Sequence, residues 1–407
     1  MKKILSVFLC VLFVLSSLVF TVSADEPYAY DEEYYSKFKG KNLTLYVYNW
    51  GEYISDGSDG MMDVIEEFEA LTGIKIDYTT FDTNEGLYSK LQSGSAYYDI
   101  IIPSDYMISR MAEKGMLEKL DLSNIPNFDA YVDDVFKNPD YDPTNEYSVP
   151  YTWGTVGLIY NTKYVTEPVD SWEILWDEKY SGKILMFSNS RDAFAIALAC
   201  LDYSINTEDE AEIRAAADLL KEQKNVVQAY VMDQIFDKLA EENAWIGPYY
   251  AGDYITMSET NEDLAFVFPK EGFNQFVDAM CIPKGCVNKE AAEMFINFMC
   301  EPRVSAENLT YIGYSTPISA AKELMDEEIT ANPVSYPSDE VLKRSESFRN
   351  LSDGTNKLLD DLWIEVRIGT LTPGFWVAVA CLAAGITALC IFSMWRKKKR
   401  MDARKIK

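Results

Sequence analysis

The feature that most constrains this chain is a charge-free apolar run over residues 374–395 that ends directly in Arg396, Lys397, Lys398, Lys399 and Arg400. A run of that length crosses a bilayer as one helix, and a cluster of cations beside it marks the cytoplasmic side. The other end carries Met1-Lys2-Lys3, an apolar stretch over 4–20 and the small residues Thr21-Val22-Ser23-Ala24. That is the layout of a secretory signal, with cleavage expected after Ala24; an uncleaved anchor is the alternative. Either way the next segment is exported. The two ends predict a body over 25–373 outside the cytoplasm, a single-pass membrane helix over 374–395 and a basic cytoplasmic tail over 396–407.

Charge follows this division. The formal net charge is −28; Lys2 and Lys3 contribute +2 and the segment from Gly374 onward +7, which leaves −37 on the body. Such a surface repels nucleic acid and attracts small cations, although most of these carboxylates are solvated helix-face charge. Histidine is absent. Its absence removes Ser-His and Cys-His pairs, the common zinc sites and the usual neutral-pH base. The sequence predicts no catalytic residue, no metal and no cofactor; a carboxylate pair acting on a glycoside is the enzymatic arrangement left open. Of seven cysteines, Cys10 lies in the signal and Cys381 and Cys390 in the span, leaving Cys200, Cys281, Cys286 and Cys300 in the body. Their spacing is neither a zinc motif nor a disulfide framework, with one bridge, Cys281 to Cys286, left open.

Along the body, apolar periodicity predicts strands over 43–48, 74–78 and 99–102, with helices over 61–71, 87–91 and 107–116 between and after them. This alternation predicts a mostly parallel sheet. Residues 147–160 read as a strand connecting two lobes. A second unit follows, with a strand over 183–187, helices over 193–201 and 208–223, a returning strand over 278–282 and a helix over 289–299. A body this long calls for two α/β lobes with a cleft between them. Loops after parallel strands gather at one sheet edge, where ligands bind. Asn49-Trp50-Gly51-Glu52-Tyr53, Pro103-Ser104-Asp105-Tyr106 and Ser188-Asn189-Ser190-Arg191-Asp192 occupy such edges and bring aromatic and acidic groups together. Asp192 also suits a helix start. The residues alone specify a ligand-binding α/β protein of open substrate.

Four segments narrow this: residues 48–53 (YNWGEY), 98–104 (YDIIIPS), 149–155 (VPYTWGT) and 313–317 (GYSTP). In this order and spacing, across roughly residues 43–362, the chain resembles the spermidine/putrescine-binding family of ABC-transporter periplasmic components. The resemblance implies a type II periplasmic-binding-protein fold with mixed sheets, two lobes closing over ligand. Its division would be an acidic spacer over 25–41, a first lobe over 42–153 with a return near 277–316, and a second lobe over 154–276 with about 317–368.

The family's ligand box falls here on Trp50, Glu52, Tyr53, Ser104, Tyr106, Asp278 and Tyr314 from the first lobe and its return, and on Asn189, Asp192, Tyr250 and Phe276 from the second. Polyamines are methylene chains carrying ammonium groups, so carboxylates at Glu52, Asp192 and Asp278 and aromatic faces between them are complementary. The chain departs from the family pattern where Asn189 replaces a carboxylate, Asp192 a glutamate, and Tyr250 and Phe276 tryptophans; Asp105 is a candidate to restore a charge. Arg349 stands where a neutral amide is expected; a cation entering the cleft there favours putrescine, or a ligand with a carboxylate, over a triamine. The implied partners are a polyamine, an ABC permease and a separate ATPase, since the chain holds no phosphate-binding glycine loop. The alternatives are a binding protein for another cationic or zwitterionic solute, and a ligand-sensing ectodomain.

Overall fold

The computed structural model describes residues 28–368. The expected signal, membrane helix and basic tail lie outside the described residues. Among the described residues no helix is long and apolar enough to cross a membrane.

The first unit is built on β1 (Thr44–Trp50), which pairs in parallel with β2 (Lys75–Phe81) and β3 (Ile100–Ile101). Between β1 and β2 runs α1 (Val64–Thr72). The Asp63 side chain caps its start by accepting from the Glu66 amide, and Gly73 ends it with φ +74, a left-handed conformation that glycine adopts without a Cβ penalty. Val64, Phe68 and Thr72 recur at i, i+4 and i+8 and form its buried side. The helix α2 (Asn84–Gln92) starts on a Thr83 cap, and α3 (Asp105–Glu113) follows β3.

The chain then leaves through β4 (Ser148–Asn161), a 14-residue strand with little exposed surface. The second unit contains β5 (Ile184–Phe187), α4 (Ser190–Cys200), α5 (Glu210–Gln223), β6 (Val227–Val231), α6 (Gln234–Ala240), β7 (Ile246–Tyr250), α7 (Ala251–Thr260) and β8 (Leu264–Val267). The return strand β9 (Phe273–Cys281) leads to α8 (Lys289–Met299), whose bounds match the sequence expectation, and α9 (Pro302–Ile312). The short β10 (Ser345–Glu346) joins β9, and α10 (Asp353–Ile368) ends the described chain.

Among the described residues ten strands share one mixed sheet, with the path β2-β1-β3-β9-β4-β7-β5-β6 and with β8 and β10 at its sides. The two flanks are parallel, as the βα alternation requires. The middle is antiparallel, because β4 carries the chain out and β9 carries it back alongside, so β9 opposes β3 and β4, and β4 opposes β7 and β8. A mostly parallel sheet was therefore the wrong expectation for the crossing region.

Phe68 of α1 packs on Phe295 and Phe298 of α8 at 5.0 and 5.3 Å between ring centroids. Tyr35, fully buried, donates its hydroxyl proton to Glu301 Oε1 at 2.6 Å. All four body cysteines are free. No Cys281–Cys286 bridge exists: Cys281 is buried on β9, while Cys286 Sγ donates to Asp99 Oδ1 at 3.1 Å.

Candidate functional site

The turn after β1 is held by two unusual backbone positions. Glu52 takes φ +47, the left-handed region, which turns the chain sharply at the strand end. Gly51 sits where a Cβ would overlap the Asp233 carboxylate, which follows β6 in the other half of the sheet. A side chain at this position would have to displace the Asp233 carboxylate. The turn delivers Tyr53 to β9, where its hydroxyl donates to Asp278 Oδ2 at 2.7 Å and shares a 2.6 Å hydrogen bond with Thr152 Oγ1. Tyr151 fixes the Tyr53 backbone by donating to its carbonyl at 2.6 Å, and Asn308 Nδ2 donates to the Tyr151 hydroxyl at 2.8 Å. A relay of buried neutral groups thus orients one carboxylate.

Only one Asp278 oxygen is used in this way; buried Oδ1 has no hydrogen-bond partner. Ser104, which bridges to Asp278 in antiparallel fashion, is held by Asn84, whose Nδ2 donates to Ser104 Oγ at 3.0 Å. Tyr106 on α3 donates to Glu85 Oε1 at 2.8 Å. From the opposite side, Asn189 caps α4 by accepting from the Arg191 amide at 2.9 Å, so the capping residue is Asn189 and not Asp192. Asp192 lies in the first turn, where Oδ2 accepts from Asn189 Nδ2 at 2.7 Å and from the Tyr250 hydroxyl at 3.1 Å.

Between the two carboxylates runs an aromatic wall. Tyr250 and Phe276 are 5.4 Å apart, Phe276 and Tyr314 6.4 Å, and Tyr314 and Tyr53 4.8 Å. Trp50 closes another side, its ring 4.4 Å from Phe81. Gly252 is required beside the wall because a Cβ there would overlap the Tyr314 ring. The cavity encloses about 650 Å³ between protein atoms, part of it open to solvent.

The sequence matches the family described as bacterial extracellular solute-binding protein over residues 63–335. It is 34% identical to the spermidine/putrescine-binding periplasmic protein of Escherichia coli over 330 residues, 81% of this chain and 92% of that one. This chain belongs to the family. Identity is 31% to the putrescine-binding periplasmic protein SpuD of Pseudomonas aeruginosa, over 81% of this chain and 93% of the relative. The solved structure of the spermidine/putrescine ABC transporter substrate-binding protein PotD from Streptococcus pneumoniae superposes with a TM-score of 0.67 at 35% identity, covering 80% of this chain and 99% of that chain. The fold is accordingly the two-lobed periplasmic-binding-protein fold with a mixed sheet. An extracellular solute-binding protein is a carrier and not an enzyme, which sets the hydrolase alternative aside.

In this solute-binding protein Trp50, Glu52, Tyr53, Ser104, Tyr106, Asn189, Asp192, Tyr250, Phe276, Asp278 and Tyr314 all line the one cavity. Glu52 and Asp82 are its exposed carboxylates, whereas Asp192, Asp253 and Asp278 are buried. Burial raises the Asp278 carboxyl to about 6 against the lowering pull of Ser104 and Tyr53, and raises Asp192 to about 7 against that of Tyr250. Burial has this sign because removing a carboxylate from water penalises its charged form; for Asp192 the nearby Arg191 guanidinium pulls the other way.

Asp105 does not line the cavity. Its oxygens turn inward to the amides of Tyr106 at 2.7 Å and Val277 at 3.4 Å, and burial pushes its carboxyl up to about 8, so it restores no charge to the cavity at neutral pH. Arg349 is also outside the cavity: its side chain is exposed, and its backbone carbonyl accepts from Arg191 Nη2 at 3.1 Å. Its neighbour Phe348 is the residue that faces inward. The buried cation near the site is Arg191, whose guanidinium lies 5.4 and 4.6 Å from the ring centroids of Tyr106 and Phe348. Sequence reasoning missed Asp233, Asp253, Asn274 and Phe348 as lining residues. Strand alternation back from Asp278 through Phe276 would have reached Asn274. Asp233 sits just past a strand, β6, that the sequence pattern did not reveal.

Proposed function

We propose that this protein captures a polyamine, putrescine or spermidine, outside the cytoplasm and delivers it to an ABC permease driven by a separate ATPase. The observation that carries the reading is the pair of buried carboxylates, Asp278 and Asp192, set at the ends of an aromatic wall. Each ammonium–carboxylate contact supplies on the order of 4 kcal/mol at an effective dielectric near 20, before desolvation is subtracted. Each buried methylene adds about 0.8 kcal/mol, and a cation over a ring about 0.5–2 kcal/mol. These terms suffice for micromolar or tighter binding. The curated relatives named for spermidine and putrescine support the same reading.

In this account the eleven residues named above contact the ligand. Residues 42–153 with a return near 277–316 form one lobe, and 154–276 with about 317–368 form the other. Ligand binding shifts the population toward the closed form. Residues 374–395 cross the membrane and hold the receptor at high effective concentration beside its permease, with 396–407 in the cytoplasm. The partners are small molecule, membrane and permease, with no nucleic acid, as the acidic body requires.

Calorimetric titration with putrescine, spermidine, arginine, γ-aminobutyrate and a neutral sugar tests the ligand class. Saturable heat confined to the polyamines supports it. Heat from an amino acid or the sugar, with none from the polyamines, overturns it in favour of another solute. Carbonate extraction of membranes tests the tether: the full chain stays in the pellet, and release to the supernatant refutes it.

A further inference from the structure

The last described helix, α10, lies on the second unit beside α5 and runs in the same direction. At their starts Glu208 Oε2 accepts from the Ser352 amide at 3.1 Å and from Thr355 Oγ1 at 2.9 Å. At their ends Lys221 Nζ donates to Glu365 Oε2 at 3.2 Å, and Lys224 Nζ to the Arg367 carbonyl at 2.8 Å. The start of β6, Val227, follows the end of α5 closely, whereas the other end of β6, Val231, leads to Asp233 in the cavity wall. The ends of α5 and α10 therefore lie at the edge of the second unit opposite the cavity.

That edge shows an apolar pair. Ile364 and Ile368 are 56% and 59% exposed, and four residues apart they share one face of α10. The helix buries Leu359, Leu362 and Val366 instead. Charge at this edge also differs from the rest. Lys221, Lys224 and Arg367 balance Asp218, Glu222 and Glu365, in a body that is otherwise strongly acidic. Anionic headgroups repel such a body least at its neutral end. Apolar side chains flanked by long cationic ones suit the boundary between water and lipid.

The chain itself limits the distance to a bilayer. Five residues, 369–373, separate Ile368 from the apolar run over 374–395. Six residue steps reach at most about 20 Å. The helix α10 (Asp353–Ile368) is itself about 24 Å long at 1.5 Å per residue, so Ile368 stands nearer to that run than to the start of its own helix.

We propose that this end of α10, Ile364 and Ile368 with Arg367 and Lys224 beside them, rests on the lipid surface. The edge of the second unit opposite the cavity then faces the membrane, and the first unit is turned away from it. The inference rests on the membrane-spanning reading of residues 374–395 above.

The test uses the full chain reconstituted in vesicles of phosphatidylcholine and phosphatidylglycerol. Ile364→p-benzoylphenylalanine, Ile368→p-benzoylphenylalanine and Val287→p-benzoylphenylalanine are irradiated, and lipid adducts are measured by mass spectrometry. Val287 is the control: it is 81% exposed, and its amide donates to the Tyr97 hydroxyl at 3.0 Å at the outer edge of the first unit. Positions 364 and 368 are expected to give about tenfold more lipid adduct than position 287, the population factor that burial of one isoleucine supplies. Adding Ile364→Asp is expected to cut the adduct at position 368 about tenfold, which nearness through a short linker alone would not do. Equal yields at the three positions, an unchanged yield beside Ile364→Asp, or crosslinking to a second copy in place of lipid overturns the inference while leaving the tether intact. A chain that does not float with the vesicles in a density gradient overturns the tether itself.

Discussion

Acidification from pH 8 to pH 5.5 is expected to weaken polyamine binding about a hundredfold. A bound polyammonium needs Asp278 and Asp192 ionised, and in the ligand-free cavity their carboxyls are raised to about 6 and about 7 by burial. At pH 8 nearly all of both are charged; at pH 5.5 about a quarter of Asp278 and about 3% of Asp192 remain so, and the product of the two fractions gives the factor of about 100. The two acids feel each other, so the profile belongs to the pair. The same reasoning requires release of about one proton per ligand bound near pH 6.5.

Stability of the ligand-free fold carries the opposite sign. Between the ordinary carboxylate value near 3.8 and the raised values of the two acids, the folded state holds more protons than the unfolded chain. Their contribution to stability therefore falls as pH rises through that window and is recovered on acidification. Calorimetry in buffers of different ionisation enthalpy reads affinity and proton release together. Affinity that is flat or rising as pH falls, with no proton released, would refute the claim that these two buried acids bind the ligand.

Three further outcomes follow from the packing. Gly252→Ala drives a Cβ into the Tyr314 ring, so it is expected to cost about 1–3 kcal/mol of stability and to weaken ligand binding by displacing that ring; an unchanged melting temperature and affinity contradict this. Asp142, buried before β4, accepts from the amides of Glu146, Tyr147 and Ser148 and from the Ser148 hydroxyl at 2.8–3.1 Å, and Asp142→Ala is expected to cost about 3 kcal/mol in a denaturant titration. Thiol titration of the unfolded body, residues 25–368, is expected to find all four cysteines reactive without reductant, and a missing pair would restore the bridge.

The parts of the fold that were legible from sequence are those with a local signal. The helix Lys289–Met299 was read to the residue because its apolar positions recur at helical spacing and Pro302 follows soon after. The helix Ser190–Cys200 is apolar on nearly every side, so periodicity placed its start three residues late. The strand Val227–Val231 was not found, because its half-buried Val-Gln-Ala-Tyr-Val pattern gives no clear alternation. Losing that strand also lost Asp233, which lies just past it. The antiparallel middle of the sheet was hidden for another reason: pairing between β4 and β9 joins residues more than a hundred apart, and no local pattern records direction.

At the site, Trp50, Tyr53, Ser104 and Tyr106 sit beside strand ends and were found by edge reasoning that the family resemblance sharpened. Arg349, considered as a cation entering the cleft, does not line the cavity, and its neighbour Phe348 does. Phe348 and Arg349 alternate in facing, and only the structure shows which one turns inward.

The central claim, that a buried carboxylate on β9 anchors a ligand ammonium, is tested most directly by titrating Asp278→Asn with spermidine beside the wild type. The variant keeps the side-chain shape and removes the charge. The account predicts an affinity loss of about thirtyfold or more, the usual cost of breaking a buried charge pair, with diminished proton release. Unchanged affinity in a folded Asp278→Asn protein would contradict it.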